Sequence, residues 1–235
     1  MYTEPHTASP RSRAEEAYAD LKRRLLLGEL RLGARLGEER LASSLGLSRT
    51  PIREALLRLH SEGLIDRHPD GGYRPRAPIV SGIQELYEVR LGLELMAIRR
   101  PLQGNGSHDP KILDQICDEW GTLAEDLPQP DPGFVVADEA FHLGIAEAAG
   151  NAALVELLGH INQRIRVVRM QDFLTAERVE ATITQHLAIV RALVAGDLDR
   201  AADAMSGHLA ESMAVVETLA ARALSRMLDR KEDRD

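Results

Sequence analysis

One cysteine, one tryptophan, three phenylalanines and four tyrosines are all that the 235 residues hold of these types. A lone Cys117 excludes an internal disulfide framework and fits a reducing cytoplasm. Its neighbours give no reason for reactivity, so it is expected as buried filler. Aromatics make up 3% of the chain against 44% apolar residues overall. With Ala, Leu, Glu and Arg abundant, that balance points away from a β-rich core and towards a mainly helical protein. No run of 18 or more apolar residues occurs, so no membrane span is expected. Residues 1–10 are polar, are broken by Pro5 and Pro10, and lack the apolar centre of a signal peptide. They are expected to form a disordered arm. Internal repeats and low-complexity tracts are also missing.

Basic charge is scarce overall, with 29 Lys and Arg against 37 Asp and Glu and a net charge of −8. The shortage is uneven. Residues 11–76 carry 14 basic and 10 acidic side chains, whereas residues 77–235 carry 15 and 26. A basic segment on an acidic body is the asymmetry expected when one domain meets phosphate and the other does not. The length allows two domains with a core in each.

Within the basic segment, residues 13–27 read as a helix whose stripe, Ala17, Leu21 and Leu25, runs out at Gly28. Residues 38–59 then read as two short helices joined at a glycine. Leu41 and Leu45 share a face of the first. Gly46 supplies the permissive backbone of the turn. Ser48 or Thr50 can cap the second, and Pro51 is acceptable in a first turn, where N–H groups lack partners. Ile52, Leu56 and Leu59 form its buried face, which leaves Arg49, Thr50 and Arg53 pointing outward near its start. That is how a helix-turn-helix presents its recognition helix to the major groove, where arginine suits guanine. The bland alternative is a helical hairpin with solvated arginines. Residues 64–67 and 72–75 follow as two short strands around the turn formers His68-Pro69-Asp70-Gly71-Gly72. Such a hairpin is a wing, and Gly71 and Gly72 would let its backbone approach a sugar-phosphate chain, with Arg67, His68 or Arg74 able to reach a groove.

The run Leu36-x-Glu38-x-x-Leu41-Ala42, Leu45-Gly46-Leu47-Ser48-Arg49-Thr50-Pro51-Ile52-Arg53-Glu54-Ala55-Leu56 and Leu59-x-x-Glu62-Gly63-Leu64-Ile65 resembles the winged helix-turn-helix of the GntR family of bacterial transcription regulators. The resemblance implies DNA contacts at Ser48, Arg49, Thr50 and Arg53 and at the wing glycines, Gly71 and Gly72. Many members carry arginine directly after the glutamate matching Glu38. Here Glu39 stands there and Arg40 follows one place later, so the weight falls on Arg49 and Arg53.

Residues 77–82, flanked by Pro75 and containing Pro78, read as a linker. Beyond it the chain reads as about six helices, spanning roughly 83–102, 110–127, 133–149, 152–173, 175–195 and 198–228, an all-helical bundle. The expected organisation is an arm at 1–10, a DNA-binding domain at 11–76, the linker, and a helical domain at 83–230.

In that second domain Asp138 and His142 are four apart, on one helical face. His186 lies ten residues before Gly196 and His208 eleven after Asp197. At ~1.5 Å per residue each stands roughly 15–17 Å from the turn, so antiparallel packing puts both imidazoles at one height. Three imidazoles and a carboxylate suit a divalent transition ion, Zn²⁺ first, with Ni²⁺ and Mn²⁺ as alternatives. The competing explanation is a set of unrelated histidines, since the chain holds eight.

Residues 83–228 resemble the helical ligand-binding domain of the FadR subfamily, the FCD type. Its metal-binding members use a D-x-x-x-H pair and one histidine from each of the last two long helices, and Asp138, His142, His186 and His208 fall on those places. Arg90 would by the same resemblance face the cavity and pair with an effector carboxylate; a salt bridge to Glu94, four residues on, is the other reading. Arg166 and Arg169 lie close in angle and can look inward, but a solvated face is the expectation for them and for Arg164. Together these features imply a ligand-responsive regulator, a homodimer and more often a repressor than an activator, binding an inverted-repeat operator in double-stranded DNA. A small organic acid held by the metal and Arg90 would control it. A hydrolase using the metal to activate water is the rival, but it needs no DNA-binding domain, and an obvious acid–base residue is missing beside the ligands. A purely structural metal is the third reading.

Overall fold

The computed structural model describes residues 12–77, 82–104 and 106–229. The expected arm at 1–10 and residues 78–81 of the expected linker lie outside them. The chain is mainly helical and divides into two compact units, Met1–Ala77 with Ala223–Asp235, and Pro78–Arg222.

In the first unit α1 (Arg13–Leu26) opens with a reciprocal cap. Ser12 Oγ accepts from the Glu15 amide at 3.2 Å and Glu15 Oε2 accepts from the Ser12 amide at 3.0 Å, which satisfies two N–H groups the helix itself cannot. Its buried stripe, Ala17, Leu21 and Leu25, packs on α3 (Arg49–Ser61), where Ile52, Leu56 and Leu59 are buried. Between them α2 (Glu38–Leu45) ends at Gly46, whose φ of 64° is the left-handed turn the sequence requires. Ser48 takes the N-cap position of α3 with extended backbone but makes no side-chain cap bond, so the capping expected of Ser48 or Thr50 is absent. That leaves the Ser48 side chain exposed at the helix start.

Strands β1 (Ile65–Arg67) and β2 (Tyr73–Pro75) pair antiparallel, Ile65 opposite Pro75 and Arg67 opposite Tyr73. A further bridge from Leu36 to Tyr73 ties the α1–α2 connector to the wing. The last turns of α9 (Leu198–Asp229) also belong to this unit. The Leu32 amide donates to the Met227 carbonyl at 3.1 Å, and Arg226 donates to the Leu27 carbonyl at 3.2 Å. Gly28, at φ 69°, lies so close to Ala223 that a Cβ there would stand 2.3 Å from the Ala223 carbonyl oxygen.

The second unit is built from α4 (Ile83–Arg99), α5 (Pro110–Glu125), α6 (Val135–Ala148), α7 (Ala152–Arg169), α8 (Ala176–Val194) and the greater part of α9. Asp109, Asn151 and Thr175 cap α5, α7 and α8 through their side chains. Ile83 and Tyr87 of α4, Ile161, Ile165 and Val168 of α7, and Val216 and Ala220 of α9 form one apolar cluster.

The helix expected over 152–173 stops at Arg169, and a separate 3₁₀ turn spans Asp172–Leu174. No Gly or Pro marks that break. Arg178 Nε donates to Asp172 Oδ1 of that turn at 2.7 Å, and extended backbone at Thr175 separates the turn from the helix that follows. The α4 span expected to reach 102 likewise ends at Arg99 in a 3₁₀ turn, Arg100–Gln103, around Pro101. Cys117 is half-buried rather than the buried filler expected of it.

Candidate metal centre and nucleic-acid interface

Asp138 and His142 sit one turn apart on α6, His186 on α8 and His208 on α9, all buried. One ligand atom from each can be chosen so that all four lie within 4.8 Å of one another. The height match read from the turn at Gly196 is met, with His186 Nε2 and His208 Nε2 3.2 Å apart. Asp138 Oδ1 stands 3.5 Å from His186 Nε2, and Asp138 Oδ2 stands 3.8 Å from His142 Nε2.

Surrounding groups decide which nitrogen of each ring faces inward. His142 Nδ1 donates to Glu94 Oε2 at 2.9 Å, and His208 Nδ1 donates to Gln185 Oε1 at 2.8 Å. Both rings therefore turn a bare Nε2 lone pair towards the centre. His186 is held by stacking on Phe141, with centroids 3.7 Å apart and planes 6° apart, and by the edge of Trp120 at 4.2 Å. His142 Nε2 has no hydrogen-bond partner. A buried lone pair with no donor, among other acceptors, fits a cation.

Electrostatics agree. Burial depresses the His142 pKa, and the neighbouring Glu94 only partly offsets it. His186 and His208 are held well below the usual range, by burial and then by neighbouring imidazoles and the guanidiniums of Arg90 and Arg169. All three are neutral at neutral pH, the state in which imidazole binds metal. The donor set fits a divalent ion such as Zn²⁺.

Arg90 makes the salt bridge to Glu94 that was one of its two readings. Its Nε donates to Glu94 Oε1 at 2.9 Å and its guanidinium lies 5.8 Å from the Tyr87 ring centroid, while Nη1 and Nη2 have no hydrogen-bond partner although the residue is fully buried. Glu94 thus joins Arg90 to His142. Burial alone would raise its pKa, but His142 and Arg90 outweigh that and hold it at about 2.

The solvated face expected of Arg166 and Arg169 is not found. Arg169 is 1% exposed and ion-paired with Asp138, and its pKa is lowered to about 9 by burial and by Arg90. Arg166, half-exposed, pairs with buried Glu139. Sequence reasoning missed Glu94, Gln185 and Arg169 as supports of the centre. Gln185, next to His186, was the one legible candidate.

At the other unit's surface, Ser48, Arg49, Thr50 and Arg53 are exposed at the start of α3. Glu38 lies 3.7 Å from both the Arg49 and Arg53 guanidiniums. Those three residues line one groove with Arg35, Arg40 and Gly72. Gly71 and Gly72 form the exposed tip of the wing, both at positive φ, where the His68 amide donates to the Gly72 carbonyl at 3.0 Å. Arg35 was not singled out from the sequence; its place immediately before the bridging Leu36 was the available signal.

Residues 85–211 match the FCD domain, and residues 13–74 match the family described as bacterial regulatory proteins, gntR family. The Nta operon transcriptional regulator of Aminobacter aminovorans is 28% identical over 86% of this chain and 94% of its own. A protein described as "Probable D-xylose utilization operon transcriptional repressor", from Paenarthrobacter nicotinovorans, is 32% identical over 78% and 79%. In fold, E. coli McbR/YncC superposes with a TM-score of 0.52 at 24% identity, over 89% of this chain and 99% of that one. The Listeria monocytogenes protein Lar superposes with a TM-score of 0.58 at 21% identity, over 89% and 98%. The relatives are regulators rather than enzymes, and the chain belongs to the GntR family of bacterial transcription regulators, with a helical domain of the FCD type.

Proposed function

We propose that the protein is a repressor whose affinity for an inverted-repeat operator is controlled by a small organic acid bound at a divalent metal in its helical domain. Residues 11–76 form the DNA-binding domain, 77–82 the linker and 83–230 the effector domain. The protein acts as a homodimer in the cytoplasm; among the described residues, no helix is long and apolar enough to cross a membrane. The relative described as a repressor supports the sign of control.

Ser48, Arg49, Thr50 and Arg53 read the major groove, and the Gly71–Gly72 backbone approaches the adjoining phosphates. Asp138, His142, His186 and His208 hold the ion, Zn²⁺ before Ni²⁺ or Mn²⁺. When bound, the ion supplies Lewis acidity that fixes a carboxylate. Arg90 pairs with that carboxylate through Nη1 and Nη2 while Glu94 keeps its Nε in place. The acid acts by binding one arrangement of the helices better than the other, since equal affinity shifts nothing.

The single observation behind this reading is the convergence of four buried ligand atoms beside an arginine with two unpaired terminal nitrogens. Complete burial of the four also suits a purely structural ion. One experiment separates the two: metal content of the purified protein and of His142→Ala and His208→Ala, with calorimetry for a panel of carboxylic acids. One ion per chain, lost in both variants together with acid binding, is the expected result. Metal present with acid binding unaffected by its removal means a structural ion, and no metal at all overturns the site.

A further inference from the structure

Satisfied protein interiors leave few polar atoms without partners, so a cluster of them marks a place where something else binds. The helices around the metal ligands carry five such atoms: Nη1 and Nη2 of Arg90, Nε of Arg169, Nδ2 of Asn162 and Oγ1 of Thr182. All four residues are at least 99% buried. All five atoms can donate hydrogen bonds.

They come from three helices. Arg90 comes from α4, next to Glu94 and His142. Arg169 and Asn162 come from α7, joined by a bond from Arg169 Nη1 to Asn162 Oδ1 at 3.4 Å, with Arg169 ion-paired to Asp138. Thr182 stands one helical turn before His186 on α8. A single carboxylate occupies the two terminal nitrogens of Arg90 and leaves the α7–α8 donors empty.

Charge balance points the same way. Buried Arg90 and Arg169 are matched by Glu94 and Asp138, half-exposed Arg166 by buried Glu139, and Arg178 by buried Asp172, with exposed Glu211 also on Arg178. Imidazole binds a metal in its neutral form and so adds no charge. A divalent ion, which this inference takes over from the functional reading above, then adds two positive charges that no buried side chain of the cluster cancels. Uncompensated buried charge is strongly unfavourable. A monocarboxylate removes half of it and a dianion all of it.

We infer that the effector is a small dicarboxylic acid, one carboxylate taken by Arg90 at the metal and the other by Asn162, Thr182 and Arg169 Nε. The second half of the molecule is therefore read by α7 and α8, and the hydroxyl and amide there set specificity. A site built to satisfy a polar group rejects the analogue that lacks it, because its own donors are then stranded.

The test is calorimetry on the full-length protein with acids matched in carbon number: malonate against propanoate, succinate against butanoate, glutarate against pentanoate. The best dicarboxylate is expected to bind at least about 100-fold more tightly than its partner. Asn162→Ala and Thr182→Val are expected to weaken that dicarboxylate about tenfold and leave the monocarboxylate unchanged, which also shows that both variants fold. A monocarboxylate that binds as well as its diacid overturns the inference, as does equal loss of both in the variants. Metal present with neither acid bound also overturns it, while the metal site stands. Diacid preference and variant effects that persist after chelator dialysis uphold the α7–α8 subsite and overturn the metal reading.

Discussion

Replacing Glu94 by Gln removes one charge and almost no volume, at the residue that connects Arg90 with His142. The carboxylate is 1% exposed, accepts from Arg90 Nε at 2.9 Å and holds His142 Nδ1 at 2.9 Å. A glutamine offers one carbonyl oxygen, so it can serve only one of these donors, and its NH₂ then faces the other. Removing one member of a buried ion pair costs about 3–5 kcal/mol, because the remaining charge has no partner and no water. For a unit of roughly 150 residues each kcal/mol moves the melting temperature by about 2–4 °C. The metal-stripped variant should therefore melt at least ~6 °C below the parent. Loss of a carboxylate behind a ligating histidine weakens metal binding by about 10–100-fold, or roughly 1.4–2.8 kcal/mol. Circular-dichroism melting of stripped protein and competition against a chromophoric zinc chelator measure the two effects separately. A variant that melts within ~1 °C of the parent and binds metal within about twofold would refute the assignment of Glu94 as the shared support.

Three further outcomes are expected. Arg49→Ala and Arg53→Ala should each weaken binding to a duplex selected from a random pool by about 1–3 kcal/mol in fluorescence anisotropy and relax its base preference; equal affinity for every duplex sequence in parent and variants would remove both from recognition. Gly28→Ala forces a side chain into the left-handed region and onto the Ala223 carbonyl, so it should destabilise the first unit by about 2 kcal/mol or more, read as a loss of thermal stability; a neutral variant would show that α9 does not seat there. The pKa values of His142, His186 and His208 are lowered in the fold, so below about 6.5 the unfolded chain takes up protons that the folded one refuses. Stability of stripped protein should hold between pH 7 and 8 and fall from 6.5 towards 5; Glu94, held at about 2, contributes stability that is lost only in stronger acid. A stability flat down to pH 5 would contradict burial of the three rings as free bases.

What could be read in the chain was local or set by helix arithmetic. The glycine turn at Gly46, the buried face Ile52–Leu56–Leu59 and the wing glycines each depend on a few neighbouring residues. The meeting of His186 and His208 followed from counting residues outward from Gly196. The choice between an inward and a solvated Arg169 went the wrong way because its burial depends on Asp138, which lies 31 positions earlier on another helix, and helical periodicity carries no record of that partner. The link from Glu94 to His142 escaped for the same reason. The Arg90–Glu94 spacing was visible, but nothing within one helix shows that the glutamate's other oxygen serves a second helix. The break after Arg169 carries no Gly or Pro, and the ion pair of Asp172 with Arg178 that accompanies it joins residues on either side of Thr175, beyond the reach of helical periodicity.

The seating of the α9 tail beside Gly28 has a consequence for anyone who wants to move this DNA-reading head onto another sensor. The head is not one stretch of sequence. Ala223, Arg226 and Met227 complete it from the far end of the chain, through contacts at Gly28, Leu27 and Leu32. A chimera cut once near Ala77 discards that piece and leaves the Leu32 amide and the Leu27 carbonyl to find new partners. A working exchange needs two junctions, one in the 77–82 stretch and one inside α9 before Ala223, so the recombinable module is a pair of segments rather than a prefix.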